Sequence, residues 1–368
     1  MRYDTIVIGA GIAGICAAYW LKEAGQKVLL VDKKGLLAGA SGAAGAFLSP
    51  RLGKGGALQL LTNEAYRFAL GFYAQKAPEA FFQKGVARIP KDEPDAERFE
   101  SYKKHLDIPF DLCEAKELSF IDEDALKFGA LCFGNAAFVD PAGVAKRLTE
   151  GIDTALSLAA APSKERGGWR VGRFLSENIV LATGSEKLPV EIPYIEIGGV
   201  WGERVDLKSE AEIPMSLHRQ ISVSANIDGT VRVGATHVRG GTESEIERIN
   251  GLIVQAIELV PSLKDQTLSR IYAGRRSAVS DHFPLVGAVA DLNETARRLK
   301  TPHRSIKPES EEIVAKDGCY IAGCFGGRGF VFAPLMGKML SEKILGRRRV
   351  DISVSPDRYL LRYLRKTT

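Results

Sequence analysis

Three glycines, Gly9, Gly11 and Gly14, set between an apolar run and a helical pattern, leave the start of this chain few ways to fold. Thr5 to Ile8 is a short β-rich run ending in glycine, and Ile12, Ile15, Cys16, Tyr19 and Trp20 recur at helical spacing as far as Gly25. Val28 to Val31 is a second apolar run that ends at Asp32 and closes a βαβ unit of about 30 residues. In this setting Gly9 permits a tight turn, Gly11 lets backbone approach a pyrophosphate, and Gly14 lets helix pack on strand. The helix N-terminus then faces the phosphates. Asp32 stands about 20 residues on, where a carboxylate accepts hydrogen bonds from a ribose 2′-hydroxyl. The fingerprint alone does not separate FAD from NAD, and Lys33 and Lys34 leave an opening for a 2′-phosphate.

Two glycine-rich segments further along the chain favour flavin. Gly39-Ala40-Ser41-Gly42-Ala43-Ala44-Gly45 is built of residues small enough for backbone to touch a flat cofactor, with Ser41 able to cap a helix and donate to phosphate. A second cluster, Gly323, Gly326, Gly327 and Gly329, precedes a helix expected from about Pro334 to Leu345, Pro334 being suited to a first turn. Its backbone N–H groups would face an electron-rich ring edge.

Between these motifs the pattern changes. Leu58 to Phe82 reads as helix, and Lys91 to Lys127 alternates charge with short apolar runs, as a separate lobe would. Asn178 to Gly184 returns to a buried β-rich run. Gln220 to Ala225 and Thr230 to Ala235 alternate around Asp228-Gly229, which predicts a hairpin, and Gly318 to Ala322 reads as one more strand. The expected fold is α/β, with a Rossmann-type FAD-binding domain (1–60, 136–190 and 275–368) and an α+β substrate-binding domain containing antiparallel sheet (61–135 and 191–274).

Composition narrows the partners. Hydrophobic residues make up 45% and charged residues 26%, which sets bulk disorder aside. A net charge of +5 suits either phosphate recognition or solubility. Cys16, Cys113, Cys132, Cys319 and Cys324 show no CxxC pair, no zinc-ligand spacing and no secreted framework, and no metal site is expected. With no signal-like segment before the first strand and no apolar run of about 18 residues, the expectation is a cytoplasmic chain without a membrane partner.

The motifs taken together, GAGIAG, GASGAAGAFLSPRL, FVDPAGVAKRL, VGATHVRG, GRRSAVSDHFPLVG and GCFGGRGFVFAP, resemble the D-amino-acid oxidase and glycine oxidase superfamily from near Arg2 to about Leu345. Within it the likeness is to the oxidase half of the bifunctional tRNA 5-methylaminomethyl-2-thiouridine biosynthesis proteins. The resemblance implies FAD with its ADP end at Gly9, Gly11, Ile12, Ala13, Gly14 and Asp32. The isoalloxazine would lie between Ala40, Ser41, Gly42 and Gly45 on one side and Gly326, Gly327, Arg328, Gly329 and Phe330 on the other.

It also implies that Arg276 grips a substrate carboxylate, a task suited to a bidentate guanidinium, with the neighbouring Arg275 competing for the assignment. Arg328 is expected to stabilise reduced flavin or a carboxylate, with His237 and Arg239 as substrate contacts and His282 beside them. The implied reaction is oxidation of the secondary amine of carboxymethylaminomethyl-uridine at a tRNA wobble position. Arg51, Lys54, Arg239 and Arg347, Arg348 and Arg349 are candidate RNA contacts. The chain has no room for the methyltransferase of the bifunctional proteins, so a separate methyltransferase is the expected partner enzyme. A glycine- or sarcosine-type small-amine oxidase and a non-catalytic flavin-bearing tRNA-binding protein remain open. No catalytic base and no oligomeric state are legible.

Overall fold

The opening strand, Arg2–Ile8, lies inside a parallel sheet, in register with Val28–Asp32 on one side and Phe174–Leu181 on the other. A computed structural model describes residues 1–299 and 312–367 and divides the chain into two compact units. The first comprises Met1–Ala38, Ala145–Gly199 and Arg276–Thr368; the second comprises Gly39–Val144 and Val200–Arg275. The first unit's initial segment stops at Ala38 rather than near residue 60. The cause is local: Phe47–Leu48 pairs with Ala137–Val139 in the second unit.

In the first unit, Asp153–Leu156 extends the sheet beyond Val28–Asp32, and Ala315–Gly323 extends it beyond Phe174–Leu181, all in parallel. Leu285–Ala290 adds an antiparallel strand. Strands covered on both faces need continuous apolar sequence; Ile6, Leu29, Ile179 and Leu181 supply it, all at most 1% exposed. Because the neighbours of Arg2–Ile8 extend the sheet in both directions, the end of this strand is a topological switch point, where open α/β sheets take ligands.

Helix Ile12–Glu23 and helix Gly329–Ile344 lie against each other. A Cβ on Gly329 would stand 3.2 Å from Ile12 Cγ2, and one on Gly337 would stand 2.8 Å from the Cys16 carbonyl. Trp20 Nε1 donates to Pro334 O at 2.9 Å, and Ser341 Oγ donates to Trp20 O at 3.2 Å. These contacts advance together along both helices, so the two run parallel and begin at the same end. The second helix starts at Gly329, not at Pro334, which lies inside it. Close packing of Gly329 and Gly337 on the first helix outweighs the one hydrogen bond that Pro334 cannot donate. The last helix, Asp357–Thr367, buries Leu360, Leu361 and Leu364 and exposes Arg362, Arg365 and Lys366.

The second unit is built on a mixed, largely antiparallel sheet. Its first helix is Ala57–Lys76, shorter than the expected run to Phe82. Pro78 disfavours helical backbone in the residue before it; Ala77 takes φ −144°, and a single 3-10 turn, Pro78–Ala80, leads into the short strand Phe81–Phe82. The hairpin forms where expected, with Asp228 (φ 50°) and Gly229 (φ 71°) both left-handed, although its first arm is only Ser222–Val223. Cys113, which follows the short strand Asp111–Leu112, forms a disulfide with Cys132 on the adjacent strand Leu131–Phe133, with Cα atoms 5.3 Å apart. The cysteine spacing in the sequence does not point to this pair, because strand pairing, not spacing, brings the two together. Among the described residues no helix is long and apolar enough to cross a membrane.

Candidate functional site

The two glycine-rich turns, over 300 residues apart in sequence, meet at the shared end of the paired helices. Gly9 holds φ +111°, and a Cβ there would stand 2.2 Å from Ala182 O; a Cβ on Gly14 would stand 1.9 Å from Gly9 O. Neither position admits a side chain, which keeps backbone bare at the turn. Gly11 caps helix Ile12–Glu23 without a side-chain bond, and no acid occupies its first turn. Helix Gly329–Ile344 likewise lacks a side-chain cap and a first-turn acid at Arg328. Two uncapped helix starts side by side favour an anionic group.

Asp32 is drawn to the same turn. Its Oδ2 accepts from Ala10 N at 2.8 Å, and its Oδ1 accepts from Lys34 N at 2.7 Å and Gly35 N at 3.0 Å. A carboxylate fixed by three backbone donors at the strand end, beside a bare glycine turn, fits the ADP portion of FAD. Lys33 pairs with Glu186 at 3.1 Å.

Arg276 stands beside the second turn. A Cβ on Gly327 would be 4.0 Å from Arg276 Cδ, which brings the guanidinium stem to the short turn Gly326–Arg328. Arg276 and Arg328 are both half-buried, whereas Arg275 is exposed. Cys324 lies just ahead of this turn, and burial pushes its thiol up to about 12, as it does that of Cys319. Neither is a thiolate nucleophile at neutral pH.

In the second unit, Gly274 marks a close approach: a Cβ there would stand 2.7 Å from Ala40 Cα. The Gly39–Gly45 segment is a series of turns, with Gly42 N donating to Gly39 O and Ala44 N donating to Ser41 O. No helix begins at Ser41, so the expected capping role does not arise; the chain goes directly into Phe47–Leu48. Arg204, 3% exposed, donates to Ala44 O, and its guanidinium stacks 3.9 Å from the centre of the Tyr272 ring. His237 and Arg239 are exposed; His237 Nδ1 lies 3.1 Å from Ala235 O, and Arg239 sits on the short strand Val238–Arg239. His282 is also exposed.

The register of the antiparallel sheet brings together polar residues that the motifs do not. Ala87, Ile89, Val205, Leu207, Leu217, Val223, Val231 and Val233 share one face and pack with Ile249, Leu252 and Ala256 of helix Ile246–Leu259. The alternate residues, Arg88, Arg204, Asp206, Ser216, His218, Ser224 and Arg232, share the other face. Two of these arginines have carboxylate partners: Arg204 Nε lies 3.1 Å from Asp206, and Arg232 Nη2 lies 2.9 Å from Asp140. Burial pulls Arg204 down and Asp206 up, so it acts against both charges of the pair. The signal for this face is the alternation of charge with valine and leucine at 204–207.

Known proteins share this architecture. The model of the FAD dependent oxidoreductase family matches residues 4–343. The tRNA 5-methylaminomethyl-2-thiouridine biosynthesis bifunctional protein MnmC of Leptospira borgpetersenii is 27% identical over 403 residues, covering 98% of this chain and 61% of that protein. The chain thus spans about three-fifths of that relative. The glycine oxidase structure from Geobacillus kaustophilus superposes with a TM-score of 0.80 at 17% identity, covering 95% of this chain and 96% of that one. The L-proline dehydrogenase structure from P. horikoshii gives 0.76 at 18% identity, covering 97% and 98%. At those identities the two structures are evidence of fold alone.

Proposed function

This chain belongs to the FAD dependent oxidoreductase family, and on that footing we propose that it oxidises the secondary amine of carboxymethylaminomethyl-uridine at the tRNA wobble position. When bound, FAD supplies a two-electron acceptor for hydride. The hydride leaves the carboxymethyl carbon next to nitrogen, the amine proton passes to solvent, and the resulting imine takes up water to give aminomethyl-uridine and glyoxylate.

The observation that carries this reading is Arg276 against Gly327, because it brings a fixed-charge bidentate donor to the turn adjoining the dinucleotide fingerprint. In this proposal Arg276 holds the carboxylate of the substrate, Arg328 adds positive charge beside it, and the Gly39–Gly45 turns border the flavin ring. His237 and Arg239, both exposed, are proposed as contacts to the RNA around the modified base.

RNA as substrate is supported by the name of the 27% identical relative and by the distribution of charge. Residues 343–368 hold eight Lys and Arg but two Asp and Glu, a net +6 in a chain whose total is +5. Arg347, Arg348 and Arg349 are exposed there, as are Arg362, Arg365 and Lys366 on the last helix. Arg51 and Lys54 are further proposed contacts. A separate methyltransferase acting on the aminomethyl product is the proposed partner enzyme, and the cytoplasm the proposed compartment.

The experiment is anaerobic mixing of the flavin-loaded protein with tRNA carrying carboxymethylaminomethyl-uridine and, separately, with glycine and sarcosine, following the oxidised flavin absorbance. Bleaching by the modified tRNA alone is the expected result. Bleaching by the small amines alone would make the protein a metabolic amine oxidase, and no bleaching by any of them would leave a flavin-bearing protein without this activity.

A further inference from the structure

We propose that Arg88 and His218 form an oxyanion-binding site on the polar face of the antiparallel sheet, one that takes a carboxylate or a phosphate group. The two residues are register partners on the adjacent parallel strands Val86–Arg88 and Ser216–His218. Arg88 Nη1 lies 3.1 Å from His218 Nδ1. A guanidinium can only donate, so Nδ1 accepts and the neutral imidazole carries its proton on Nε2. His218 thus orients the guanidinium, and the donors offered to a ligand are the N–H groups of Arg88 not used on Nδ1.

Arg88 differs from the other arginines of its face. Arg204 and Arg232 each have a carboxylate within ion-pair distance. Among the described residues Arg88 has none, and its hydrogen bond is to an uncharged ring. Asp95 contributes the main acidic influence on it, but Asp95 Oδ1 accepts from Arg98 and Oδ2 accepts from Lys91 N. Burial drags the guanidinium down to about 10, so the protein does not offset the cost of placing this cation here. A partly desolvated cation without a carboxylate partner gains from an anion that reaches its exposed side.

The setting suits a small anion. The Phe47 ring stands edge-on to His218, with centroids 4.9 Å apart, and forms an apolar wall on one side of the pair. An apolar wall lowers the local dielectric and strengthens charge-assisted hydrogen bonds. Arg88 is half-buried, which leaves a route for a ligand to reach it.

The test is calorimetric titration of the flavin-loaded full chain with sodium phosphate and with sodium acetate, at ionic strength held constant with chloride. Saturable binding of at least one anion is expected. Arg88→Gln should weaken it on the order of 10-fold or more, and Arg88→Lys should restore part of it. Binding of phosphate alone assigns the site to a phosphate group, and binding of acetate alone assigns it to a carboxylate. If wild type binds neither anion, or Arg88→Gln binds as wild type does, the site does not exist.

Flavin content and melting temperature report whether Arg88→Gln folds. If it does not, His218→Asn and Arg88→Lys carry the test, and unchanged affinity in both overturns the proposal. The inference does not rest on tRNA as the substrate: anion binding lost with Arg88 stands even where no modified tRNA reduces the flavin.

Discussion

Asp32 accepts a hydrogen bond from Ala10 N at 2.8 Å, which ties the end of the second strand to the glycine turn after the first. The same carboxylate takes Lys34 N and Gly35 N on its other oxygen. An amide in its place would turn an N–H towards a backbone N–H on one side or the other. Asp32→Asn is therefore expected to weaken FAD binding by at least 10-fold, as loss of a charge-assisted bond worth about 1.5–3 kcal/mol requires. Flavin retained through gel filtration, and fluorescence titration of the apoprotein, measure it.

Arg276→Lys keeps the charge but loses the planar fork. If Arg276 holds the carboxylate, kcat/KM for the amine substrate should fall on the order of 10- to 100-fold. Arg275→Lys should change it little. Equal effects at both positions would count against the assignment.

Arg358 grips Asp281 through Nε at 2.9 Å and Nη2 at 3.1 Å, pinning the last helix to the segment after the strand that carries Arg276. Burial opposes ionisation of Asp281, but the hydrogen bonds and charge of Arg358 outweigh it and hold the carboxyl below its ordinary 3.8. A depressed folded value means that the stabilisation is present above about pH 4 and is lost as pH falls through the folded value. Asp281→Asn should cost about 2 kcal/mol at pH 7. Chemical denaturation across pH should show the gap to wild type closing below pH 3.8.

The basic segment can be tested through salt. If tRNA phosphates contact Arg362, Arg365 and Lys366, replacing all three with Gln should lower the slope of log affinity against log salt by about 2 to 3, at roughly 0.7–0.9 per contact. A slope equal to that of wild type would remove this helix from the RNA surface.

The Cys113–Cys132 bond closes a loop with a sequence separation of 19. For a loop of this size, chain entropy predicts a loss of about 3 kcal/mol when it is opened. Urea unfolding with and without reductant, alongside the Cys113→Ser Cys132→Ser variant, measures the difference. Identical midpoints would mean that the bond adds no stability.

Much of the first unit is legible in the sequence because its determinants are local. The turn at Gly9–Gly14 needs bare backbone, the strands need continuous apolar runs, and Asp228-Gly229 in the second unit needs two left-handed residues; each requirement is met within a few positions. Helix Gly329–Ile344 starts earlier than its sequence suggests because Gly329 and Gly337 matter through their packing on Ile12 and Cys16, which no window around Pro334 contains. The polar sheet face escapes the sequence for a related reason. Alternation at 204–207 shows that charges share a side, but not which strands lie next to them.

Turn geometry and side-chain period act over short stretches of chain, so the order of residues is enough to specify a βαβ unit that ends at Asp32 and carries a bare glycine turn. It took the folded chain to bring the turn at Gly326–Arg328 to the turn at Gly9–Gly14, to set Arg88 against His218 rather than a carboxylate, and to join Cys113 to Cys132. Those relationships depend on strand register and helix packing between distant segments, where a shift of one residue would put every side chain on the opposite face.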